Sequence, residues 1–198
     1  MEATVIALPS DALSEPLPTE LATLQDGASS AFQAAGSGDW SAAKATVGEL
    51  SAAWDTVRSG QVHELLKAQM DEALATLVAA VAARNTAETQ QAAIDVGRSS
   101  LDLQLRYRPI AGIELGRFDL WLAQLQVDAA AGDANAVSGD LFTLDYLRDR
   151  VQHTLESAGV TAIHTQLEQL YGAGGNLATA ADAVGQLRDT LAGLQPMS

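Results

Sequence analysis

A recurring punctuation constrains this chain more than any other feature. Four turn signals interrupt it: Gly36-Ser37-Gly38-Asp39, Arg84-Asn85-Thr86, Gly132-Asp133, and Gly172 through Asn176. Asp39, Thr86, Asp133 and Asn176 each stand just before an Ala-rich stretch. Their spacings of about 47, 47 and 43 residues lie in the range of helical-pair repeats. Such side chains cap helices because their oxygen accepts from the free amides of the first turn. A glycine just ahead of the cap supplies the left-handed end of the preceding helix. Each signal therefore reads as helix, tight turn, helix.

The stretches between the turns carry apolar residues at helical spacing. Ala43, Val47, Leu50, Trp54 and Val57 form one stripe, and Val62, Leu66, Met70, Ala73, Leu77 and Val81 another. Leu115, Phe118, Leu122, Leu125 and Ala129 form a third, and Val137, Leu141, Leu144, Leu147, Val151 and Leu155 a fourth. These steps of three and four residues mark buried helix faces. Alanine makes up roughly a fifth of the chain, far above ordinary usage, and it is the best helix former. No alternating run is long enough for a strand.

The expectation is an all-α protein of about eight helices, at 18–35, 40–58, 61–83, 87–106, 114–131, 134–157, 161–171 and 177–194. They pair as four antiparallel helical hairpins, one with two through seven with eight, because short turns force antiparallel neighbours. A curved stack of hairpins is the other packing open to such repeats. Divergent repeats and a length of 198 residues favour a compact bundle. Residues 1–17 read as a tether and 18–198 as a single helical domain. The break at Arg108-Pro109-Ile110 marks where two four-helix halves would meet, near 107–113.

Composition narrows the function classes. The chain has no cysteine, which excludes disulfides, thiolate metal sites and cysteine nucleophiles. Its 25 acidic and 11 basic residues give a net charge of −14, the wrong sign for a nucleic-acid partner or an anionic membrane surface. No run reaches the ~18 apolar residues of a transmembrane segment. There is no Gly-x-Ser-x-Gly elbow and no phosphate-binding Gly-Lys-Ser/Thr loop. The Gly172-Ala173-Gly174-Gly175 run follows a helical pattern and lacks a lysine, so it reads as a turn.

Pro9, Pro16 and Pro18 among Ser, Asp and Glu make residues 2–19 read as a tether. Such tethers lie between a folded domain and a signal-cleavage site or a lipid anchor upstream of Met1. The expectation is an extracytoplasmic protein, at the cell surface or in the periplasm; the alternative is a cytosolic scaffold domain without a ligand site.

Two constellations could carry chemistry. Around the central break, Asp102, Arg106, Arg108, Glu114, Arg117 and Asp119 crowd opposite charges among large apolar residues. Asp102 and Arg106 are spaced to pair within one helix, as are Glu114 and Arg117. Paired guanidinium groups suit a carboxylate or phosphate, so the cluster is either an anion or small-ligand site or a set of ion pairs fixing the corner. The second constellation is His153 with Glu156 and Asp149, placed on one face of the sixth helix. Imidazole with carboxylates suits zinc, iron or manganese. If a divalent ion binds, His63 is the candidate for a further ligand from another helix.

Two segments resemble the helical domain of imelysin-type proteins, a class linked with bacterial extracytoplasmic iron uptake. One is Ala34 to Lys44, with its Gly38-Asp39-Trp40 turn. The other is Gly112-Ile113-Glu114 followed by Leu120-Trp121, and His153 and Glu156 share the spacing of that class's His-x-x-Glu motif. No histidine lies near Glu114, where the class places one. The resemblance implies a metal-associated protein of the cell envelope. Together these features predict a non-enzymatic exported bundle that binds an envelope protein partner, a metal or a small ligand.

Overall fold

A computed structural model describes residues 16–172 and 177–192 of the chain. Among these residues the structure is all helical, with no strand. Eight helices run α1 (Thr19–Ser37), α2 (Trp40–Arg58), α3 (Glu64–Ala83), α4 (Thr86–Gln104), α5 (Ile110–Ala131), α6 (Ala134–Val151), α7 (Ser157–Gly172) and α8 (Leu177–Ala192). A single 3₁₀ turn, Gln152–Thr154, separates α6 from α7. The helices pack against one another in a compact bundle, and each hairpin's two helices lie side by side.

The turns are built as their side chains dictate. Asp39 accepts from the Ala42 amide at 2.9 Å and Asp133 from the Asn135 and Ala136 amides at 3.1 and 3.0 Å. In the α3–α4 turn the cap is Asn85, one residue before the expected Thr86, and it accepts from the Glu88 amide at 3.3 Å. Gly38 and Gly132 take left-handed conformations at φ 74° and 75° and close the helices before them. In the α3–α4 turn that place is held by Arg84, at φ 53°. The expected cap Asn176 and most of the tether lie outside the described residues.

Helix ends differ from expectation by three residues or more in four places, one of them the start of α7, at Ser157 rather than residue 161. Glu64 rather than residue 61 opens α3, because His63 turns its ring back to accept from the Leu65 amide at 3.3 Å. Ile110 rather than Glu114 opens α5, since Pro109 already has a helix-compatible φ and needs no donor at a first turn. The sixth helix stops at Val151 instead of residue 157. There the Thr154 hydroxyl donates to the Val151 carbonyl at 2.8 Å, and Leu155 is extended.

Two apolar cores divide the bundle. The first joins α1 to α4 around Leu24, Leu50, Met70, Leu77 and Ile94. The second joins α5 to α8 around Phe118, Leu122, Leu144, Ile163 and Leu187. Within the first half α1 packs as closely on α4 as on α2, which closes the four helices into a ring. Between the halves, Leu101, Ile113 and Leu120 form a small core of their own. The contact between α4 and α5 is close because glycines receive leucines from both sides. A Cβ on Gly97 would stand 2.8 Å from Leu120, and one on Gly116 would stand 2.8 Å from Leu101.

Candidate functional site

The central cluster forms, with a membership that differs from the expected one. Glu114 sits in the second turn of α5 and is 3% exposed. Its Oε1 accepts from Arg117 at 2.8 Å and from Arg150 of α6 at 3.0 Å. Arg117 also donates to Asp102 of α4 at 2.8 Å. Burial works against the Arg117 charge, but its hydrogen bonds to Asp102 and Glu114 outweigh burial and raise its pKa. One chain of charges, Asp102–Arg117–Glu114–Arg150, thus ties α4, α5 and α6. Glu114 Oε2 is buried and accepts no hydrogen bond among the described residues.

The other expected members lie elsewhere. Asp102 faces Arg117 rather than Arg106, and Arg106 lies over the ring of Tyr107 at 6.0 Å. Arg108 donates to Gln104 at 3.1 Å, and Gln104 in turn donates to the buried Ser100 hydroxyl at 3.0 Å. Asp119 leaves the cluster and receives both donor edges of Arg188 from α8, at 2.6 and 2.9 Å. Arg188 also lies 5.9 Å from the Phe32 ring of α1, so it touches both halves.

A second polar network continues along the same seam. Gln91 of α4 and Gln124 of α5 exchange amide hydrogen bonds at 3.1 and 2.9 Å. Arg98 donates to Gln124 at 3.2 Å and lies 5.0 Å from the Trp121 ring. Gln124 donates to Asp128 at 3.3 Å. Beside Asp128 stands Asp140 of α6, buried at 5% exposure. Burial and a hydrogen bond shared with Asp128 push the Asp140 carboxyl up to about 7, against the pull of Arg98. Asp140 Oδ2 is buried and has no hydrogen-bond partner among the described residues.

The proposed metal ligands are not brought together. His63 caps α3 in the first half, whereas His153 lies in the 3₁₀ turn of the second half and Glu156 follows the extended Leu155. The helix carrying the expected shared face ends before either residue. Asp149 accepts from Arg148 at 2.7 Å, and Arg148 also pairs with Asp145. Among the described residues no three His, Asp or Glu side chains are grouped to hold a metal ion. No described helix is long and apolar enough to cross a membrane.

Several residues of this seam and of α6 carry no local sequence signal. Arg150 and Arg188 reach their partners across 36 and 69 residues. The exposed aromatic side chains of α6 also lie off its buried apolar stripe: Phe142 is 73% exposed and Tyr146 61%. Arg150 lies over the Tyr146 ring at 5.7 Å, and Tyr171 of α7 donates its hydroxyl to the Leu141 carbonyl at 3.0 Å. No family model, curated protein or solved structure matches the chain.

Proposed function

We propose that this chain is a non-enzymatic binding protein of the bacterial cell envelope that docks a partner protein on the outer face of α6. The observation that carries this reading is the stripe Phe142, Tyr146 and Arg150, four residues apart on one helix and open to solvent. Aromatic and arginine side chains dominate the energetics of protein interfaces: the aromatic ring brings large apolar area with few rotamers to freeze, and the guanidinium a planar donor fork. The central charge cluster favours the same reading, because its groups are turned toward one another and act as a brace. The proline-bearing segment before α1 and the resemblance of residues 34–44 and 112–121 to imelysin-type proteins support the envelope setting.

The test is a photo-crosslinking amino acid placed at Tyr146 in the cells that make the protein, with the same residue at exposed Ala45 as control. A discrete adduct at 146 and none at 45, lost in Phe142→Ala, supports the reading. Equal labelling at both positions, or none, removes it. Fractionation of the same cells tests location: a protein recovered wholly with the cytosol favours the scaffold reading.

A further inference from the structure

A groove lies between the first part of α2 and the last turns of α3. Its volume is about 760 Å³, within the range of small-molecule sites, and no carboxylate lines it. Its walls are apolar, from Val47 on α2 and Val78, Val81 and Ala82 on α3. Gly48 keeps part of the wall bare, since a Cβ there would meet nothing within 4 Å. Lys44 and Arg84 line the groove's polar part. In a chain of net charge −14, most basic residues are paired with carboxylates, yet these two form no ion pair among the described residues.

Arg84 adds an independent argument. It occupies the left-handed position that Gly38 and Gly132 fill in the sister turns. A side chain there costs of the order of the glycine advantage the other two turns enjoy. An arginine at this helix C-terminus also complements the dipole of α3, a gain smaller than the left-handed conformation costs. The side chain's place in the groove is what the residue supplies.

We propose that this groove binds a single-chain amphiphile with a carboxylate head, its alkyl chain along Val47, Val78 and Val81 and its head between Lys44 and Arg84. An apolar trough alone would take any alkyl chain. The two cations, unneutralised in an acidic protein, select the anionic head.

Titration of the full chain with dansyl-undecanoate, read by dansyl emission, tests the site. Saturable one-to-one binding is expected, displaced by dodecanoate and not by dodecyltrimethylammonium. The double variant Lys44→Glu, Arg84→Glu should weaken it about tenfold or more, the loss expected for charge-assisted hydrogen bonds. Gly48→Phe should abolish it by filling the trough; because that position faces open space, unchanged circular dichroism shows that the fold is kept. Absent saturation, equal displacement by the cationic amphiphile, or indifference to both variants overturns the proposal. A groove that takes a synthetic acidic amphipathic helix and not dodecanoate overturns it in favour of a protein ligand.

Discussion

Leu120 of α5 rests on Gly97 of α4, 2.8 Å from where a Cβ would stand, and four residues further along α4 the arrangement is returned by Leu101 on Gly116 of α5. Each helix thus offers the other one leucine and one glycine. The exchange lets the backbones approach closely at a small core shared by both halves.

Filling that contact should be costly. Gly97→Leu forces Leu120 off its seat, and overpacking of this kind costs about 1–3 kcal/mol. Gly48→Ala, on an exposed helix face with open space above it, should instead stabilise by about 0.5–1 kcal/mol through helix propensity. Urea denaturation of the two variants checks both signs; a destabilising Gly48→Ala would mean that the position is not open.

Arg117→Ala should destabilise the fold by about 2–4 kcal/mol, toward the lower part of the range for broken buried pairs because solvent reaches the guanidinium. It leaves the buried Glu114 with Arg150 as its single partner and Asp102 with none. Glu114→Gln should cost less, since the amide oxygen still accepts from both arginines. Thermal melts rank the two variants, and the reverse order would contradict the brace.

Asp140 predicts a pH dependence with a definite sign. Its folded pKa lies above the ordinary 3.8, so the folded state holds this proton more tightly than the unfolded chain does. The stability it contributes is full below the ordinary aspartate range and is lost as pH rises through about 7. Asp140→Asn keeps the side chain's shape and cannot ionise. The stability difference between variant and parent should therefore shift in the variant's favour between about pH 5 and about pH 8. Denaturation midpoints that move in parallel across that range would contradict the assignment.

Arg84→Gly should raise stability by about 1 kcal/mol, because glycine takes φ 53° without a Cβ penalty. The gain is read from denaturant midpoints at high salt, where the lost surface charge counts least.

The hairpins were legible because their signals are local. Asp39 and Asp133 cap within three residues, and stripes such as Val47, Leu50 and Trp54 are buried as their spacing implies. Asn85 displaced Thr86 as a cap because a candidate oxygen one residue earlier reaches the same amides. The central cluster was half legible: Glu114 and Arg117 pair within one helix, but Asp102 was drawn across to Arg117 once α4 and α5 met. Nothing near residue 114 announces Arg150, and nothing near residue 119 announces Arg188, since those pairs exist only after helices distant in sequence are neighbours. His153 and Glu156 failed as a pair on one face because the end of α6 is set by the Thr154 side chain rather than by the apolar stripe, which continues to Leu155.

The packing of α1 on α4 also sets an order of events during translation. α1 leaves the ribosome first but meets its far neighbour only after about seventy further residues, so its apolar face is half-covered until α4 has been made. The later half waits in the same way, because α5 also packs on α8, where Arg188 holds Asp119. A pause in synthesis before α4 would therefore expose Leu21 and Leu24 to chaperones, whereas a pause after Gln104 would leave a closed ring whose α4 face, from Gln91 through Gly97 and Leu101 to Asp102, awaits α5.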